Sequence, residues 1–240
     1  MKLNKTKILI IVIVFAIIGA LVGVFTINHT ENNKTYNGKP LYTSSAMQMY
    51  DTSTPEQAIG ISDYVFVAKI NKILRTEYTN RMKIEVGFAK TKTVSNPYTI
   101  YEINVIENIK GSLRTDIPIE YMQYGGINED GESYTFMNGG KLLNEGGYYI
   151  LMVGTWGDKY GGTIEVADPN RIVYLGDTYT PNEKSSLVSE YKSAYQNQIV
   201  PPDFGENVMS KFDINYKEEW RNGLFKFFQV KIVENINPLW

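Results

Sequence analysis

Residues 8–27 form an unbroken apolar run, interrupted only by Thr26, with Lys2, Lys5 and Lys7 ahead of it and no acidic residue before Glu31. As a helix rising about 1.5 Å per residue the run reaches roughly 30 Å, the thickness of a bilayer's hydrocarbon core. A stretch of this kind is either a membrane helix or the apolar region of an export signal. The lysines belong on the cytoplasmic side, which delivers the rest of the chain outside. A cleaved signal usually has a shorter apolar region closed by a small-x-small site. Here no Ala-x-Ala follows, and a cut after Ala20 would put Ile18 at the upstream recognition position. A lipoprotein signal is excluded because the chain has no cysteine. The expectation is an uncleaved signal anchor: residues 1–7 cytoplasmic, 8–27 across the cell membrane, and the bulk extracytoplasmic, or secreted if the signal is cut.

Within the run, Gly19 and Gly23 make a Gly-x-x-x-Gly pair, with Ala16 and Ala20 offset by the same step. Small residues four apart let two membrane helices approach closely, which allows a homodimer through this segment.

Beyond residue 27 the chain carries 21 basic and 26 acidic residues, a net charge of −5. An acidic exported part lacks the basic stripe that a nucleic-acid backbone requires, so no nucleic-acid partner is expected. The zero cysteines remove disulfides, thiolate catalysis and Cys-ligated metal together. The single histidine, His29, lies beside the apolar run, so no His-based triad or metal cluster can be built in the folded part. No catalytic residue, metal site or cofactor is expected.

Residues 28–54 are rich in Asn, Thr, Ser and Lys and read as a polar linker. The folded region then opens on a capping box, Thr54-Pro55-Glu56-Gln57, for a short helix closed by Gly60 and Ser62-Asp63. Residues 64–74 are β-branched and aromatic, first continuous and then alternating, as in a strand that leaves the core for an edge. Residues 82–88 are a weaker strand candidate. Residues 98–107 alternate, with Tyr101, Ile103 and Val105 assigned to the core face. Residues 117–122 form the next strand, with Pro118 marking an edge or bulge. Residues 125–140 read as a long polar loop, and 148–153 as a fully buried strand. Residues 164–166 and 171–175 are expected to form a hairpin around Pro169-Asn170. A second capping box, Thr180-Pro181-Asn182-Glu183, opens a helix with an apolar stripe of Leu187, Val188, Tyr191, Ala194 and Tyr195. Asn222-Gly223 signals a terminal hairpin.

Five strands with Lys110-Gly111 between the second and third resemble an oligonucleotide/oligosaccharide-binding (OB) barrel. More specifically, Ser62-Asp63-Tyr64-Val65-Phe66-Val67-Ala68-Lys69-Ile70 resembles the opening strand of netrin-like and tissue-inhibitor-of-metalloproteinases-like domains. The later strand over residues 98–106, with Lys110-Gly111, is similar to a Tyr-led alternating stretch ending in Lys-Gly in those domains. Glu145-Gly146-Gly147-Tyr148-Tyr149-Ile150-Leu151 is similar to their closing strand. The resemblance covers residues 59–155 and implies the barrel. It also implies a protease-inhibitor-like surface protein, but one without the family's N-terminal zinc-chelating cysteine.

The fold expected is mainly β with minor α. An OB-like five-stranded barrel over 55–178 is preceded by one transmembrane helix and followed, over 179–240, by a helix and a hairpin packing on the barrel. Tyr121, Tyr124, Tyr134 and Phe136 cluster around the long loop and are the candidate recognition surface, since exposed aromatics take peptides and sugars. The function expected is a membrane-anchored, non-enzymatic binding module with a protein or glycan partner outside the cell. The competing expectation is a surface hydrolase using paired carboxylates drawn from Glu102, Glu107, Asp116 and Glu120.

Overall fold

The computed structural model describes residues 34–44, 49–85, 91–137, 139–156, 163–166, 168–180, 186–205 and 209–217. The apolar run 8–27, with the anchor and the Gly19/Gly23 packing assigned to it, lies outside the described residues. So do residues 181–185 of the second capping box and the tail hairpin at Asn222-Gly223. Among the described residues, no helix is long and apolar enough to cross a membrane.

By its contacts the chain divides into two units, Met1–Leu41 and Tyr42–Trp240. In the first, β1 (Thr35–Tyr36) pairs antiparallel with the start of β2 (Lys39–Ser44). The turn is Asn37-Gly38, with φ of 50° and 73°. Two consecutive positive φ values are what a two-residue hairpin turn needs, and Asn-Gly tolerates them best. This short hairpin falls inside the segment expected to be a polar linker.

The second unit is mainly β with two helices. Its centre is a ring of five strands: β3 (Tyr64–Glu85), β4 (Thr91–Lys110), β5 (Ile119–Tyr124), β8 (Tyr148–Trp156) and β9 (Thr163–Val166). β3, β4 and β5 form an antiparallel meander. β9 then lies parallel to β5 and antiparallel to β8, and β8 closes the ring against β3 with Tyr64 opposite Val153. This is the closed, OB-like arrangement. Between β5 and β8 the chain inserts a small pair, β6 (Gly126–Ile127) and β7 (Tyr134–Met137).

Alternation fills the ring. Phe66, Ala68, Ile70, Tyr101, Ile103, Val105, Tyr121, Leu151, Val153 and Ile164 belong to one buried cluster inside it. The core face expected for β4 is therefore the one observed. The opposite residues of β3 and β8, namely Val65, Val67, Ile150 and Met152, are buried too. They form a second cluster with α1 (Pro55–Gly60) and α2 (Ser186–Gln196), through Ala58, Ile59, Val188, Tyr191 and Ala194. Burial on both faces is why 64–68 and 148–153 read as continuous apolar runs rather than alternating ones. The capping box forms as expected: Thr54 Oγ1 accepts from Gln57 N at 3.3 Å, and Thr54 N donates to Gln57 Oε1 at 3.3 Å.

Two expectations are corrected. Residues 163–166 and 172–176 are not a hairpin. β10 (Ile172–Gly176) pairs with β8 residues 148–151, and β9 pairs with β8 residues 154–156. One edge of β8 is thus shared end to end by two strands. A 3-10 turn, Pro169–Arg171, redirects the chain between them, with the Asp168 carboxylate accepting from Asn170 N at 3.0 Å. The third barrel strand begins at Ile119 rather than 117, because Pro118 has no N–H to give the ladder.

Candidate binding surfaces

The four aromatics expected on one recognition surface are divided between interior and exterior. Tyr121 points into the ring, fully buried, with its ring 5.8 Å from that of Tyr101. Its hydroxyl has no hydrogen-bond partner among the described residues. Phe136 is 1% exposed. It closes over Gly125, whose φ is +110° and where a Cβ would fall 2.5 Å from Phe136 Cδ1. Neither Tyr121 nor Phe136 can present a face to a partner. Tyr124 is half-buried and packs edge-on against Tyr98 at 5.3 Å. Tyr134 stacks on Phe136 at 6.0 Å with 10° between the planes. Only Tyr124 and Tyr134 reach the outside.

The acidic residues that a hydrolase would need are each matched to a cation or donor. Lys72 pairs with Glu102 at 3.7 Å, and Asn71 Nδ2 donates to it at 3.4 Å. Arg75 grips Glu120 with two nitrogens, at 2.9 and 3.1 Å, and its guanidinium holds that carboxyl below its ordinary range. Arg114 makes the same two-point contact with Asp116. Lys192 pairs with Glu107, which also accepts from Tyr179 Oη. Glu102 and Glu120 do lie opposite each other across β4 and β5. A general acid must keep its proton near neutral pH, however, and a bidentate guanidinium works against that.

The feature that alternation understated is the length of the β3–β4 hairpin. β8 covers β3 only over 64–69, and β5 covers β4 only over 99–103. The ladder nevertheless continues to Glu85 opposite Thr91. Residues 76–85 at about 3.3 Å each make an arm of roughly 30 Å with no third strand beside β3 among the described residues. One side of the arm is braced: Arg81 Nε sits 3.0 Å from Glu129 Oε1, Lys92 Nζ 3.2 Å from Asp130, and Ser95 Oγ donates to Glu129 at 3.2 Å. Met82 and Ile84, two apart on β3 and therefore on one face, are 61% and 40% exposed. Asn80, in the bulge between Thr79 and Met82, has φ of 51° and bends the strand.

A second region holds charge inside the protein. Glu165, on β9, is 5% exposed with Oε2 unpartnered among the described residues, and burial pushes its carboxyl up to about 7. Arg171 is half-buried near it, and desolvation works to lower the guanidinium. Arg171 Nη2 donates to Ser62 Oγ at 2.9 Å, while Nε has no partner among the described residues. Asp63 accepts from Thr155 N at 2.6 Å, yet its carboxyl is raised, because desolvation outweighs that bond. Lys110 Nζ donates to Ile59 O at 2.9 Å and Gln198 Oε1 at 2.8 Å, and its burial lowers the amine. Nothing in the sequence marked Glu165: it sits between Ile164 and Val166 in the alternation of an ordinary half-buried strand. No protein-family model matches this chain, and no curated protein sequence matches it either.

Proposed function

We propose that this protein is a non-enzymatic binding module, held at the outer face of the cell membrane by residues 8–27, whose β3–β4 arm engages a protein partner. The observation that carries the reading is the arm's unshared β3 edge with Met82 and Ile84 exposed on one face. A free strand edge offers a row of backbone donors and acceptors, and alternate side chains beside it supply selectivity. The individually matched carboxylates support binding over hydrolysis. The netrin-like resemblance of residues 59–155 fits a barrel serving as a platform for protein contacts.

Photo-crosslinking in intact cells tests this directly. A photoreactive residue replacing Ile84 in the full chain should give one discrete adduct, retained in the membrane fraction. The same residue replacing Tyr174, exposed elsewhere, should not. Identical adduct patterns at the two positions, or a chain that fractionates entirely with the cytoplasm, would sink the proposal.

A further inference from the structure

Among the described residues 76–85 and 91–96 the β3–β4 arm carries five charged side chains. Three are matched within the chain: Glu77 lies 2.8 Å from Arg75, Arg81 3.0 Å from Glu129 and Lys92 3.2 Å from Asp130. Lys83 and Glu85 are exposed and have no ion-pair partner among the described residues. They flank Ile84. Successive side chains of a strand alternate, so Lys83 and Glu85 share one face while Ile84 and Met82 share the other. Two unmatched charges of opposite sign therefore bracket an exposed apolar side chain, on a stretch of β3 paired only with β4 among the described residues.

An edge of this pattern is complementary to itself. In an antiparallel pair related by a twofold axis normal to the sheet, opposed residues have a constant sum of numbers and lie on the same face, so the axis passes through a residue. With the axis at Ile84, Ile84 meets the Ile84 of a second copy, and Lys83 of each copy meets Glu85 of the other. Directly opposed side chains stand about 4.5–5.5 Å apart at Cβ, close enough for both charge pairs to form. The neighbouring registers all oppose like charges. An axis at Lys83 sets Lys83 against Lys83, one at Glu85 sets Glu85 against Glu85, and one at Met82 sets Lys83 against Arg81. Like charges directly opposite destabilise a strand pair, so one register is selected. The pair uses up both free edges and closes as a dimer instead of growing into a fibre.

We propose that the arm's partner is a second copy of this chain, joined edge to edge by residues 83–85 about a twofold axis at Ile84. The inference rests on the arm being the protein's binding edge and names what that edge binds. A ladder this short is weak between free molecules. Two copies held at one membrane surface meet at a high effective concentration, which makes a weak edge sufficient.

The chain has no cysteine, so a single introduced thiol reports proximity without background. In membranes carrying the full chain with Ile84→Cys, a short thiol crosslinker should give one product of twice the chain mass. Tyr174→Cys, exposed on β10, should not. Adding Lys83→Glu to Ile84→Cys opposes acid to acid at both ends of the ladder and should cut the yield about tenfold. Adding Glu85→Lys as well should restore it, which an arm that had merely misfolded would not do. Equal yield with Lys83→Glu, no recovery in the reversed pair, or a series of higher products overturns the inference. So does the absence of a dimer, and the photoreactive residue at Ile84 then separates the two readings. A discrete adduct of another mass leaves the arm as a binding edge for a different protein; no adduct removes that reading as well.

Discussion

Gly60 lies so close to the backbone of Ile199 that a Cβ built on it would fall 1.8 Å from the Ile199 carbonyl oxygen. The contact is backbone on backbone, so no rotamer change relieves it. It is held from the same side by Ile199 N donating to Glu56 O at 3.0 Å. Gly60→Ala should therefore push the segment after α2 off α1, at a cost of about 1–3 kcal/mol. Thermal unfolding of the purified protein reads this out. An unchanged midpoint would mean that the segment moves freely.

Glu165 makes stability depend on pH in a direction opposite to most carboxylates. Its folded value, about 7, lies above the 4.5 of an unfolded chain. Below 4.5 both states are protonated and burial of the group is tolerated. As pH rises through 7 the folded state must hold a buried charge, and stability falls by up to roughly 3 kcal/mol. Glu165→Gln should be more stable than the parent at pH 8 and indistinguishable near pH 4. Urea midpoints measured across that interval check it, and parallel curves for parent and variant would refute it. Carboxylates lowered by partners, such as Glu120 and Asp130, act the other way but are common to both proteins.

Tyr101 and Tyr121 pack inside the ring with their ring planes tilted by 34°, yet the two hydroxyls differ. Tyr101 Oη donates to Gln123 Oε1 at 2.9 Å and accepts from Leu143 N at 3.1 Å. Tyr121 Oη is buried without a partner among the described residues. Tyr101→Phe should cost about 1–2 kcal/mol by orphaning two buried groups, whereas Tyr121→Phe should be neutral or stabilising. Equal losses for the two would contradict the difference.

Arg75 makes the best-formed ion contacts on the outer face, bidentate to Glu120 and 2.8 Å from Glu77. Its side chain is nevertheless 45% exposed and that of Glu120 39%. Solvent screening should win over geometry. Arg75→Ala should change stability by less than about 1 kcal/mol, and by less still in high salt. A larger loss, insensitive to salt, would show that the pair has a packing role.

What was legible in the sequence was local. The Thr54–Gln57 box, the inward face of Tyr101, Ile103 and Val105, and the stripe from Leu187 to Tyr195 each follow from one rule applied within ten residues or so. What was not legible depends on partners far away. Alternation cannot tell that the edge of β8 is divided between β9 and β10, since each strand alone satisfies a hairpin pattern. Tyr121 and Phe136 read as surface candidates because an aromatic beside a Gly-rich loop carries no mark of which side it faces. The arm was half-visible: past Ile70, bulges at three places break the period-two signal that would have joined 64–74 to 82–88.

Ring closure joins Tyr64 to Val153, and β9, whose last residue is Val166, must be in place before β5 and β8 have their full set of neighbours. Such non-local pairing carries a high loop-closure cost and sets a slow folding rate. Among the described residues, β3 and β4 make the longest pairing between strands adjacent in sequence. An arm that pairs early would fix the register of both its barrel strands before the third is added. Trimming paired residues from the arm's far end should slow refolding in stopped-flow fluorescence while leaving the unfolding rate nearly unchanged. A surface that awaits a partner in the finished protein would then also be the first part of the chain to find one within itself.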